Sequence, residues 1–220
     1  MISADNLAAI ASEGERIIAF ARRDPDRRVP QYPRWTLRDL ITHVASIHAR
    51  TALICTSLVQ ERCPPVELPR GQDPCDWYEE TLATMIEALR DLDPEAQGWT
   101  LFADRQVSTW ERRMVIETGV HRWDAQDAIE APEPLPPIVA MHGLDEFSHL
   151  WLPRLGRVPT LRVEATDLAR SWTYGAGQPQ ATVAGTGSGI YLRLMARGET
   201  RLPPEWEAAV DAVPPPPGAS

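Results

Sequence analysis

The sequence predicts an α+β protein, with an N-terminal four-helix bundle over residues 1–131 and a smaller α+β domain over 138–212. Three observations carry this reading. Four long segments in the first part of the chain repeat their apolar residues at helical spacing. The run EAPEPLPP at 130–137 cannot continue a helix and reads as a linker. After Pro159 the texture changes to short stretches rich in β-branched and aromatic residues, parted by Gly, Asp and Pro.

The first helix is expected over Ser3–Arg23, where Leu7, Ile10, Ile17, Ile18 and Phe20 form the apolar side. The charged, Pro-bearing turn RRDPDRRVPQYP ends it. A second helix is expected from Thr36 to about Glu61. Thr36 is placed to cap it, and Asp39, three residues on, is the acidic partner of a capping box. Leu37, Leu40, Ile41, Val44, Ile47, Leu53 and Ile54 trace its buried face. A third helix follows Pro74, with Trp77, Leu82, Met85, Ile86 and Leu89 on one side. The fourth spans Trp110–Ile129. Four helices joined by loops fit a bundle, and bundles build metal sites from side chains on facing helices.

Beyond the linker, a helix is expected from Ile138 to about Trp151. His142 and His149 share one of its faces beside Asp145 and Glu146, an ordinary surface pattern more than a second metal site. The segments 160–165, 171–174, 181–186 and 190–196 read as four strands of a small antiparallel sheet. The tail 213–220, VPPPPGAS, is expected to be disordered.

Composition narrows the function. A net charge of −9 argues against nucleic acid or an anionic membrane surface as partner. All 22 basic residues are Arg, which excludes lysine Schiff-base chemistry. No apolar run reaches membrane-spanning length, and the N-terminus lacks the order of a signal peptide, so a cytoplasmic monomer is expected. Cys55, Cys63 and Cys75 form no C-x-x-C pair and suggest neither a disulfide framework nor a cysteine zinc site. Cys55 reads as a packed helical residue, whereas Cys63 and Cys75 flank a Pro-rich loop and are expected to be exposed.

The chemistry centres on the fourth helix. Glu117 and His121 stand four residues apart, so both project from one face, one turn apart, and can grip a single ion. The pair alone is a weak signal and needs a third ligand. His43 borders the apolar stripe of the second helix, where an imidazole must be hydrogen-bonded or metal-bound. Taken by itself, a core histidine bonded to a backbone carbonyl is the simpler reading. Asp124 is placed either to accept from a ligand imidazole or to face solvent, and Arg122 and Trp123 read as ion-pair and packing residues. Trp99 and Trp110 either line an apolar pocket or sit in the core.

The order W-T-x-x-D-L-x-x-H-V at 35–44, followed by E-T-G-V-H-R-W-D-A at 117–125, resembles the mycothiol-dependent maleylpyruvate isomerase family. That family belongs to the DinB-like superfamily of metal-binding four-helix bundles. The resemblance implies that His43, Glu117 and His121 ligate a divalent metal, expected to be zinc, and that mycothiol is the thiol cofactor. Two His and one Glu with a fourth position open is the ligand set of a catalytic zinc. The later order A-T-D…W…A-T-V-x-G…YLRLMARG resembles the same family's C-terminal domain, which is similar to sterol-carrier folds. There the resemblance implies a substrate-facing Arg. Arg197 aligns best, although Ala196 precedes it in place of the usual Gly, and Arg193 is the other candidate. Either suits a carboxylate, and either also suits a solvent-facing strand.

The function implied is a metal- and mycothiol-dependent isomerase or thiol transferase acting on a small electrophilic, carboxylate-bearing molecule. Loss of the thiol after bond rotation gives isomerisation, and its retention gives a conjugate. A thiol-independent metalloenzyme of a biosynthetic pathway and a non-catalytic small-ligand-binding protein are the alternatives.

Overall fold

The computed structural model describes residues 2–214, so most of the Pro-rich tail, 215–220, lies outside the described residues. The chain forms two compact units, parted between Glu133 and Pro134. The α+β class holds.

The first unit runs α1 (Ala4–Arg23), a two-stranded antiparallel hairpin of β1 (Arg28–Val29) and β2 (Tyr32–Thr36), α2 (Leu37–Ser57), α3 (Pro74–Arg90) and α4 (Thr109–Ile129). Helix α2 packs chiefly on α3, and α1 on α4. Ile10, Ile17, Leu40, Ile41, Val44, Met85 and Leu89 are wholly buried between them. Each such side chain contributes about 1.5–3 kcal/mol relative to an exposed one. The α1–α3 approach depends on Gly14, because a Cβ there would stand 2.6 Å from a Leu82 methyl.

Thr36 caps α2 as expected. Its Oγ1 accepts from the Asp39 N–H, and an Asp39 carboxylate oxygen accepts from the Thr36 N–H at 2.8 Å. The helix ends at Ser57, short of the expected Glu61. Leu58 turns into the left-handed region at φ 46°, and the next residues are taken up by the loop before α4. There the Trp99 N–H donates to the Val59 carbonyl, and Arg105 donates to the Gln60 carbonyl at 3.0 Å. Cys63 is buried in the same region, contrary to its expected exposure, while Cys75 is half-buried.

Helix α4 is covered on nearly every side: 17 of its 21 residues are buried. Its polar residues therefore have to find partners inside the unit, since an unpaired buried polar group carries a large penalty.

The second unit begins with α5 (Pro137–Leu150). It continues through β3 (Leu161–Ala165), β4 (Arg170–Tyr174), β5 (Ala181–Gly185), α6 (Gly187–Leu194) and α7 (Pro204–Asp211). The sheet has three strands in the order β4-β3-β5. Leu161 faces Tyr174 in an antiparallel pair, but β5 runs parallel to β3, with Leu161 opposite Ala181. The expected four-stranded antiparallel sheet is thus corrected in two respects. The fourth segment, Ile190–Ala196, lies mainly in helix α6. Thr186 accepts from the Gly189 N–H to start that helix, and Ile190, Tyr191 and Leu194 are buried at helical spacing. Over so short an apolar stretch, β-propensity yields to the cap and to packing.

Candidate metal centre

Two helices and the hairpin bring the chemistry together. Seven residues beyond its cap, α2 places His43. Helix α4 presents Glu117 and His121 from one face. The Glu117 Oε1 lies 3.5 Å from the His43 Nε2 and 3.2 Å from the His121 Nε2. One ligand atom from each of the three residues falls within 4.8 Å of the others, and this is the only such group among the described residues. His142 and His149 form no comparable cluster.

The spacing suits a metal ion. Bond lengths near 2.0–2.2 Å in a tetrahedral arrangement put ligand atoms about 3.3 Å apart, close to the two separations seen here. The donor set, two imidazoles and a carboxylate, suits zinc and similar divalent ions. The His43 side chain is 27% exposed against 7% for His121, so the centre is reached past His43.

The surroundings orient each ligand. His121 makes a 2.9 Å hydrogen bond through its Nδ1 to the wholly buried Asp124 carboxylate, which leaves Nε2 for the centre. Arg113, one turn before Glu117, donates to the second oxygen of that carboxylate, Oε2. Strand β2 supplies an aromatic wall. The Trp35 ring lies 5.0 Å from His43, the Tyr32 ring 6.0 Å from His121, and the two rings pack at 4.6 Å.

Without a metal the cluster is held by protons. Burial works against the Glu117 charge, but Arg113 and hydrogen bonds from His121 and His43 outweigh it and keep the carboxyl well below the usual range. Burial also disfavours imidazolium at His121, yet Asp124 and Glu117 raise it to about 9. The imidazolium form of His121 is thus favoured in the metal-free protein.

His48 makes a useful contrast. Five residues after His43, it points into the core, wholly buried, and its Nε2 pairs with the Thr118 hydroxyl at 3.1 Å. Burial pushes its pKa down to about 3, so it stays neutral. His48 is thus a core histidine held through one nitrogen alone, its Nδ1 buried without a hydrogen-bond partner.

The two arginines of the C-terminal region belong to the second unit. Arg193 sits on α6 rather than on a strand, and its guanidinium holds Asp211 with two bonds, at 2.8 and 3.0 Å. Arg197 is 8% exposed and donates to the Met195 carbonyl at 2.7 Å. The preceding Ala196 has φ 60°, the left-handed conformation that glycine adopts at least cost.

Reading by sequence missed Tyr32, Trp35 as part of the wall, Arg113 and His48. Tyr32 and Trp35 are buried with exposed Pro33 and Arg34 between them, so β2 lacks the two-residue alternation that marks a strand and gave little signal. Pro30 and Pro33 obscured the strand further.

Comparison with known proteins adds the family. Residues 7–126 match the model of the mycothiol maleylpyruvate isomerase N-terminal domain. No curated protein sequence matches the chain. Among solved structures, a mutant form of the mycothiol-dependent maleylpyruvate isomerase is similar at a TM-score of 0.67 and 16% identity, covering 90% of this chain and 94% of that one. The unsubstituted enzyme is similar at 0.66 and 17% identity, with the same coverage. At these identities the structural likeness speaks for the fold.

Proposed function

The chain belongs to the mycothiol maleylpyruvate isomerase N-terminal domain family, matched over more than half its length, and from that premise we propose a metal-dependent isomerase or thiol transferase that uses mycothiol. Its substrate would be a small electrophilic molecule bearing a carboxylate. The observation that carries this reading is the convergence of His43, Glu117 and His121 within one buried, one-sided opening.

A divalent metal there, expected to be zinc, would convert a bound thiol to its thiolate at neutral pH, supplying a nucleophile that the two motif blocks lack. The protein's part is positioning. Glu117 and His121 grip from one helix face and His43 from the facing helix, leaving one direction open. Asp124 fixes the His121 tautomer, and Arg113 occupies the Glu117 oxygen that points away from the cluster. Tyr32 and Trp35 exclude water along one side, which strengthens charge interactions within. By family resemblance Arg197 is a further candidate for a substrate carboxylate, with Arg193 second because Asp211 already engages it.

No described helix is long and apolar enough to cross a membrane.

The test is metal content by elemental mass spectrometry on untagged wild type and His121→Ala, followed by calorimetric titration with mycothiol. About one divalent metal per chain, lost in the variant, together with thiol binding that needs the metal, is the expected result. A wild type that stays empty after zinc addition overturns the metal centre. Metal without thiol binding leaves a thiol-independent metalloenzyme.

A further inference from the structure

Arg50 follows His43 by two helical turns on α2, so the two project from the same side of the helix. Its guanidinium stacks against two tryptophans, 5.6 Å from the Trp99 ring and 5.5 Å from the Trp110 ring. Trp110 stands on α4 two turns before Glu117, so the pairing of α2 with α4 repeats itself. One level joins His43 to Glu117 and His121, and a second level, about 10 Å along the helices, joins Arg50 to Trp110.

The arginines paired around this region differ from Arg50. Arg122 is bonded to Glu13, and Arg113 to Glu117. Half-buried Arg50 has no ion pair among the described residues, and its Nε is buried without a hydrogen-bond partner. Burial pushes its pKa down, and among nearby charges Glu117 opposes that most, which places Arg50 within electrostatic reach of the triad. A guanidinium stacked on aromatic faces keeps its edge free for a planar anion, and that edge is where a carboxylate binds with two parallel bonds. A desolvated cation lacking an internal partner is costly unless something supplies one.

The geometry points to Arg50, its guanidinium set against Trp99 and Trp110, as the group that receives a carboxylate of the small-molecule substrate, while the rest of that molecule extends toward His43, Glu117 and His121. The direction of that extension rests on the metal-centre reading. The binding of the carboxylate at Arg50 does not. Arg50 is then a specificity-determining residue, selecting acids over their neutral analogues.

The experiment uses succinate as an unreactive carboxylate probe and succinamide as its neutral counterpart, titrated calorimetrically into wild type, Arg50→Met and Arg50→Lys. Metal content and circular dichroism are read on the same preparations. Wild type is expected to prefer succinate. Arg50→Met should weaken succinate by about 10- to 100-fold, the loss of charge-assisted hydrogen bonds, with succinamide unchanged. Arg50→Lys keeps the charge without the fork, so it should fold normally and lose affinity to an intermediate degree. Retained metal in both variants separates this effect from damage to the triad. Equal binding of succinate and succinamide by wild type, or wild-type affinity in both folded variants, overturns the assignment. Arg50-dependent binding in a protein that takes up no metal would overturn the metal centre while leaving Arg50 in place.

Discussion

Helix α4 carries two buried polar clusters, one turned toward α1 and one toward α2, and they are built on opposite principles. On the α1 side, the wholly buried Arg122 donates to Glu13 at 2.6 Å, to the Gln126 side chain at 3.0 Å and to the Glu133 carbonyl at 3.0 Å. The Glu133 N–H in turn donates to Gln126 at 3.1 Å. Donors and acceptors interlock there, and the network joins α1, α4 and the chain leaving α4. On the α2 side, the Nε2 atoms of His43 and His121 both face the Glu117 Oε1, at 3.5 and 3.2 Å. The first arrangement is complete as it stands. The second gathers two imidazoles and a carboxylate with one atom of each within 4.8 Å of the others, the donor set of a metal site. Two clusters a few residues apart on one helix thus separate a network that holds the fold from one arranged as a candidate ligand site.

The sharpest way to break the comparison is Arg122→Ala. Removing one partner of a buried ion pair leaves Glu13 with only the more distant Arg16, at 3.7 Å, and should cost about 3 kcal/mol of stability. Denaturant unfolding checks this, and the folded fraction should still bind metal at full stoichiometry. An unchanged midpoint would mean the network is not structural.

Asp124→Asn probes the other cluster. The helix should stand, but metal affinity should fall about 10- to 100-fold, since the amide holds the His121 ring less firmly and makes it a poorer ligand. Competition with a chelator measures the change, and undiminished affinity would remove Asp124 from the centre.

Next in size is the effect of pH. Asp124 and Glu117 raise the His121 pKa to about 9 against the effect of burial, so a metal bound there would displace a proton. Apparent metal affinity should rise about tenfold per pH unit between 6.5 and 9 and then level off. Over the same window the metal-free protein should lose stability, because the raised pKa contributes fully below 6.5 and fades as pH passes 9. Calorimetry in two buffers of different ionisation enthalpy should report about one proton released. A pH-independent affinity would contradict the protonated triad.

The smallest effect is expected of Thr36→Ala, which removes the cap of the helix bearing His43. Stability should drop by about 1 kcal/mol, read from thermal unfolding, with metal stoichiometry untouched.

Much of the first unit was legible because its signals are local. Helical spacing placed four helices, and the Thr36–Asp39 cap was readable from two residue types three positions apart. The Glu117–His121 spacing follows from helix geometry alone. His43 was different: nothing local distinguishes it from His48, and the family motif separated the two where periodicity could not. The hairpin wall was lost in a Pro-bearing run whose strands are two and five residues long. Helix α6 was misread because the segment IYLRLMA satisfies both strand and helix preferences, and the deciding cap at Thr186 lies outside it. Arg50 left no trace in sequence, since a half-buried arginine differs from a solvated one only through neighbours brought by a distant loop.

The ligands also impose an order of events on synthesis. His43 leaves the ribosome early, but Glu117 and His121 wait until α3 and the loop beyond it have been made. A nascent chain that has completed α2 therefore offers an ion one imidazole and no chelate. On the proposed metal-centre reading, capture of an ion would belong to the end of bundle assembly, and a chain misassembled at α4 would stay unloaded.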